Sequence, residues 1–183
     1  MWKWIGGILL ALIVLVMGAA WWGYRQVAGT FAPDGSVRVS IAATPARVFA
    51  SLSDADSAAT WMANGSKVST GKHGPLGLGD SIRIEIKSVG TGRPVTWKIT
   101  DIVPGQSISM QLQSPDPGHP FVATRLDSVA QVGDSTIVVD RITSVPPPAG
   151  TAEQMMLSMF KLQSKIELMS LKSRIEGKPA GLR

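Results

Sequence analysis

Apolar residues follow three different patterns along this chain. From Trp4 to Trp22 they are continuous, and the stretch WIGGILLALIVLVMGAAWW carries no charge. Through the middle they alternate with polar residues, as half-buried strands do. From Thr151 to about Ile175 they recur every three or four residues, as on a helix.

The alternating part begins with Val37, Val39 and Ile41, separated by Arg38 and Ser40. Thr44-Pro45 follows, a capping residue and then Pro at the first helical position, where its missing N–H costs nothing. Val48, Phe49 and Leu52 give that short helix an apolar face, and Ser53 or Asp54 can cap a second one running to Trp61. Three strands are then expected. Ile82, Ile84 and Ile86 alternate with Arg83, Glu85 and Lys87; Val95, Trp97 and Ile99 with Thr96, Lys98 and Thr100; Ile108, Met110 and Leu112 with Ser109, Gln111 and Gln113. A turn at Pro104-Gly105 sets Trp97 against Leu112, Lys98 against Gln111, Ile99 against Met110 and Thr100 against Ser109, so both faces are chemically consistent. A turn near Thr91-Gly92 places Glu85 opposite Lys98.

Phe121–Ser128 and Thr136–Ser144 alternate less cleanly. A turn at Val132-Gly133 opposes Arg125 and Asp140. A turn at Gly133-Asp134 would oppose Asp127 and Asp140, a like-charge pair, so the first is preferred. The Arg125–Asp140 pair is then either a solvated surface contact or a polar anchor within an apolar cavity. Pro146-Pro147-Pro148 stops the sheet. Thr151 with Gln154 forms a capping box opening the long helix. Its apolar stripe is Met155, Met159, Leu162, Ile166 and Met169, widened by Met156, Phe160, Leu168, Leu171 and Ile175, with Lys161, Lys165, Lys172 and Arg174 largely off it.

As a helix, the 19 residues from Trp4 to Trp22 span about 28 Å, close to the ~30 Å bilayer core. Trp2, Trp4, Trp21, Trp22 and Tyr24 bracket the segment, where amphipathic rings favour the membrane interfaces. Residues 1–24 therefore read as a single transmembrane anchor. A cleaved signal peptide is the alternative: Gly18-Ala19-Ala20 supplies small residues, but bulky Trp21 and Trp22 follow. Gly7 and Ala11 form a small-xxx-small pair, a weak helix-association signal. Residues 25–35 read as a linker, 36–177 as the domain and 178–183 as a tail. Lys3 precedes the segment, while Arg25 and Arg38 follow it, offset in part by Asp34. The charge bias is small, and the expectation leans toward a single-pass bacterial inner-membrane protein with its domain outside the cytoplasm.

Composition narrows the chemistry. There is no Cys, which excludes disulfides, thiolate metal sites and thiol nucleophiles. The two His, His73 and His119, both stand beside Gly or Pro in loops and are too few for a His-rich metal centre. The Gly-rich stretch Gly71–Asp80 lacks a following Lys-Ser/Thr and any strand-to-helix switch, so it reads as a turn rather than a phosphate cradle. No metal or cofactor is expected. The net charge is +5, and residues 151–183 hold six Lys/Arg against three acidic residues. No strand face interleaves basic and aromatic residues, which argues against nucleic acid.

The order is one strand, two short helices, a run of antiparallel strands and one long helix. It makes an α+β domain whose last helix must cover an apolar sheet face. Here the chain resembles the START/Bet v1-like superfamily of polyketide cyclase and lipid-transport domains. The residues that carry the likeness are VRVSIAATPARVFASLSD (37–54), Trp61, GPLGLGDSIRI (74–84), VTWKITDIVPGQSISMQL (95–112), GDSTIVV (133–139) and the terminal KSRIEG (172–177). The resemblance implies a helix-grip fold, a curved antiparallel sheet wrapped on the C-terminal helix with an apolar cavity between them. It implies a lipid or other hydrophobic small molecule as ligand; some such domains are cyclases or dehydratases.

On that basis Trp61, Ile84, Trp97, Ile99, Met110 and Leu112 are expected to line the cavity from the sheet side. Met155, Met159, Leu162 and Ile166 are expected to line it from the helix, with Arg125 and Asp140 as polar anchor. The leading expectation is a membrane-tethered, non-enzymatic binding domain whose partners are membrane lipids and a hydrophobic small molecule. Two alternatives remain: a cyclase/dehydratase-like enzyme using Asp101, Arg125, Asp140, Tyr24 or a His, and a scaffold of the cell envelope. No paired carboxylates at catalytic spacing and no G-x-S-x-G elbow favour the enzyme.

Overall fold

The computed structural model describes residues 35–63, 66–85, 94–113, 122–145 and 150–177. The expected anchor, all but the last residue of the linker, and the tail lie outside them. Among the described residues no helix is long and apolar enough to cross a membrane.

Seven antiparallel strands form one curled sheet: β1 (Val37–Ile41), β2 (Lys67–Ser69), β3 (Ser81–Glu85), β4 (Pro94–Val103), β5 (Ser107–Gln113), β6 (Val122–Val132) and β7 (Ser135–Val145). Their spatial order is β1-β7-β6-β5-β4-β3-β2. Consecutive strands are neighbours except at the start, where helices α1 (Pro45–Leu52) and α2 (Ala55–Trp61) carry the chain from one edge to the other. Thr44 caps α1, its Oγ1 accepting from the Arg47 N–H at 3.4 Å, and Pro45 opens the helix. Asp54 caps α2, accepting from the Ser57 N–H at 2.8 Å. The short edge strand β2 carries no alternating signal in the sequence and is defined by its pairing with β3.

The loop before β3 is pinned rather than open. Leu76 is buried, its N–H donates to Ser53 O, and the Gly79 N–H donates to Ile99 O. Asp80 accepts from Lys72 Nζ at 2.8 Å and from the Gly77 N–H at 2.7 Å, which holds its carboxyl below the usual value. Gly79 has φ 87°, a conformation that side chains with a Cβ resist.

The β4–β5 hairpin pairs Trp97 with Leu112, Lys98 with Gln111 and Ile99 with Met110, as its sequence requires. The turn itself is different. Val103 pairs with Ser107, so the loop is Pro104-Gly105-Gln106, one residue longer than expected. A bulge at Thr100 absorbs the extra residue, and Ser109 faces Asp101 rather than Thr100. Glu85 pairs with Pro94 and Lys98 with Ser81, so the expected Glu85–Lys98 pair is corrected by four residues. A four-residue slip keeps every side chain on its face, which is why the apolar sets still coincide.

The last hairpin overturns its sequence reading. Val132 pairs with Ser135, the turn is Gly133-Asp134, and Asp127 stands opposite Asp140 while Arg125 stands opposite Ile142. The like-charge pairing is tolerated because a third group, described below, lies between the two carboxyls.

Helix α3 (Thr151–Glu176) begins one position earlier than its capping signal suggests. Gly150 is the N-cap, and Glu153 rather than Gln154 reaches back to the cap N–H, at 3.4 Å. Gly177 ends the helix with φ 67°. The C-terminal half of α3 is latched to the domain. Arg47 donates to Ile175 O at 3.1 Å, Lys172 to Ser40 O at 2.7 Å, and the Ala42 N–H to Glu176 Oε1 at 2.9 Å. Arg174 donates to Thr60 Oγ1.

The buried face of α3 is Ser164, Glu167, Leu168, Leu171 and Ile175. Met155, Met159 and Leu162 are 65%, 47% and 41% exposed, and half-buried Ile166 lies in the same row. The expectation that these four face the sheet is corrected: they form a second apolar stripe on the side away from it. The physical reason is the polar pair Ser164 and Glu167, which the sheet's own charges draw inward.

Candidate functional site

Alternation fixes which strand residues face α3. Ile82, Ile84, Trp97, Ile99, Met110 and Leu112 are buried together on that face, each at most 6% exposed. Phe160 of α3 meets Trp97 edge-on, with ring centroids 5.8 Å apart. Two rows cross the sheet here. One runs Ile99, Met110, Arg125, Ile142; the next runs Ile108, Asp127, Asp140, Val37. Three charged side chains thus stand within an apolar wall, and Glu167 reaches them from the helix.

Arg125 is the centre of this cluster. Its Nη1 donates to Glu167 Oε2 at 2.5 Å, and its Nε lies 2.8 Å from Asp140 Oδ2 and 3.1 Å from Asp127 Oδ2. The Nε–H does not point along either short contact, so those two are charge–charge contacts rather than directed hydrogen bonds. Ser164 donates to Asp140 Oδ2, and Gln163 Nε2 donates to Glu167 Oε1 at 3.2 Å. Arg125 Cζ sits 5.7 Å from the centroid of the Trp61 ring, whose indole N–H donates to Ser51 O at 3.2 Å.

One guanidinium cannot neutralise three carboxylates. Burial pushes Asp127 well above the ordinary carboxylate value; Arg125 pulls it down, but the neighbouring Asp140 pushes it up further. Burial likewise raises Glu167, against the pull of Arg125. Burial disfavours the Arg125 charge too, yet Asp127, Asp140 and Glu167 outweigh it and hold the guanidinium more basic than usual. Asp127 and Glu167 therefore hold a proton more tightly than exposed carboxyls do. Asp140 Oδ1 and Ser144 Oγ are buried with no hydrogen-bond partner among the described residues. Such groups call for a polar atom from elsewhere.

Arg125 and Asp140 are thus brought together and buried, and the solvated surface pair is excluded. They meet diagonally across the hairpin, not in the register expected for them. Asp127 and Glu167 were missed. Asp127 shares strand parity with Arg125, and Glu167 follows Ser164 by three residues, but neither signal stands out in an apolar pattern search. Trp61 is packed at 1% exposure under Arg125. Asp101 is exposed beside the bulge. His73 is exposed and pairs with Asp56 at 2.6 Å, which raises its pKa. His119 and Tyr24 lie outside the described residues. No group of three His, Asp or Glu among the described residues is arranged to hold a metal ion.

The fold recurs in solved structures. The Aha1 dimer from Colwellia psychrerythraea is 19% identical, with a TM-score of 0.58 over 77% of this chain and 94% of that one. A protein from Arthrobacter aurescens is 14% identical, with a TM-score of 0.60 over 81% and 89%. Ara h 8.0201 is 10% identical, with a TM-score of 0.59 over 78% and 97%. At these identities the likeness is one of fold. No curated protein matches the chain. The family model described as polyketide cyclase / dehydrase and lipid transport matches residues 33–176, a span that takes in every strand, both short helices and the cluster between sheet and α3. The chain belongs to that family.

Proposed function

We propose that this domain binds a hydrophobic small molecule or lipid against the apolar inner wall of its sheet. One observation carries the reading. Within a wall of buried Ile, Met, Leu and Trp side chains, Asp140 Oδ1 and Ser144 Oγ are two buried polar atoms lacking a partner among the described residues. An apolar ligand with two polar groups, a hydroxyl that donates to Asp140 Oδ1 and another about 13 Å further along β7 at Ser144 Oγ, would cover the wall and satisfy both. Membership in a family that includes lipid-transport domains supports the same class of ligand. Trp97, Met110 and Leu112 supply apolar contact, and Arg125 with Asp140 forms the polar end. The helix-side contribution comes from Phe160 rather than from Met155, Met159, Leu162 or Ile166.

The uncharged segment Trp4–Trp22 supports a tether, which would hold the domain at a bilayer and bring its ligand within reach. The reading is a single-pass inner-membrane protein with its domain outside the cytoplasm, and with bilayer lipids as its standing partners. Full-length protein should stay with membranes through an alkaline carbonate wash; release into the wash contradicts the tether. Ligand binding is tested by titrating the full chain with a fluorescent fatty-acid probe. Saturable binding is expected, weakened by Ser144→Ala and by Leu112→Asp. No saturable binding contradicts the proposal.

A second reading is enzymatic, and the upward shift of two buried carboxyls favours it. A carboxyl kept protonated by an apolar site is what a general acid requires. Burial shifts Asp127 and Glu167 in that direction. If the domain is a cyclase or dehydratase, Glu167→Gln lowers turnover while leaving probe affinity intact. Equal turnover in this variant would remove Glu167 from the chemistry.

A further inference from the structure

Helix α3 carries apolar residues on two opposite sides. One side packs in the core through Leu168, Leu171 and Ile175. The other side is Met155, Met159, Leu162, Ile166 and Met169, and four of these are 65%, 47%, 41% and 38% exposed, Ile166 being half-buried. They form one continuous row at i, i+4, i+7, i+11 and i+14, about four turns long. Lys161 and Lys165 run along one flank of the row. The helix is therefore amphipathic twice: once toward its own core, and once toward whatever lies outside.

We propose that this outer row lies in the interface of an anionic lipid bilayer, with Lys161 at the headgroups. Three features select the bilayer as occupant. Met and Leu flanked by lysine is the pattern of helices that lie flat in a membrane interface. Lys161 complements anionic headgroups. Residues 23–35 also join the domain to the segment Trp4–Trp22 by thirteen residues, which can extend no further than about 45 Å. This last point rests on the tether proposed above. A second copy of the chain fits less well. Five side chains on one helix face fall well short of the roughly 800 Å² per partner that a stable protein interface buries. Docking this side of α3 leaves its opposite side, and the ligand wall beneath it, facing away from the lipid.

The absence of Cys makes the test direct, because Met159→Cys provides a single labelling site in the full chain. Full-length protein carrying an environment-sensitive fluorophore there is reconstituted into vesicles with and without phosphatidylglycerol. Arg83→Cys, on an exposed strand position, serves as the reference. Expected are blue-shifted emission at position 159 and quenching by lipid-borne nitroxides, both dependent on the anionic lipid and absent at position 83. Lys161→Gln should lower the docked-to-free ratio about five-fold. Protein that floats with the vesicles but keeps the label at 159 in water overturns the docking and leaves the tether standing. Protein that fails to float overturns both. Burial of the label that follows protein density rather than lipid charge assigns the row to a second copy and overturns the proposal.

Discussion

Arg125 is a buried cation surrounded by Asp127, Asp140 and Glu167, and the balance among these four groups sets how the domain responds to mutation and to pH. Removing the cation leaves three buried carboxyls without their counter-charge. Arg125→Leu should therefore cost about 3–5 kcal/mol, read from urea unfolding. A loss below about 1 kcal/mol would show that the carboxyls were already neutral. The pH dependence follows from direction. Asp127 and Glu167 are raised above their ordinary values of 3.8 and 4.5, so the native state holds protons that the unfolded chain has released. This contribution is complete below those ordinary values and is lost as pH rises through the raised native ones. The melting temperature should fall as pH is raised above those ordinary values of 3.8 and 4.5, and Asp127→Asn should flatten that fall. A melting temperature that rises over the same range contradicts the assignment. The pairwise rule against opposed carboxylates failed here for a plain reason. It weighs two residues, and the register was decided by a third on the same strand and a fourth from a helix.

At the scale of elements, helical spacing told that residues 151–176 form a helix but not which side faces the sheet. Two apolar stripes satisfy the same period. The more regular one, through Met155, Met159 and Leu162, is the outer one; the buried one is interrupted by Ser164 and Glu167, so a search for apolar residues passes over it. Mutations separate the two sides. Leu171→Ala should destabilise by about 2–5 kcal/mol, whereas Met159→Ser should change stability by under about 0.5 kcal/mol. Comparable losses at the two positions would contradict the assigned faces. The hairpins show a second limit. In β4–β5 a three-residue loop and a bulge at Thr100 compensate, so the paired residues were legible although the turn was not. Gly105 takes φ 74° in that loop, with open space around it. Gly105→Ala should cost about 1–2 kcal/mol through backbone strain alone.

For the molecule as a whole, alternation and one long helical period were enough to read the order of every element but the short edge strand β2, and the antiparallel sheet. The polar centre of the inner wall was half legible: Arg125 and Asp140 stand out in their strands, while Asp127 and Glu167 acquire meaning only when β6, β7 and α3 meet. The inner wall is proposed to hold an apolar molecule whose polar groups meet Asp140 and Ser144. Native mass spectrometry of the full chain, purified from membranes in mild detergent, tests it most directly. One noncovalent adduct per chain is expected, lost on denaturation and on Leu112→Asp, and recovered in organic extracts as a lipid or comparable apolar compound. A chain that carries no adduct, and takes up none when offered membrane lipid extract, would contradict it.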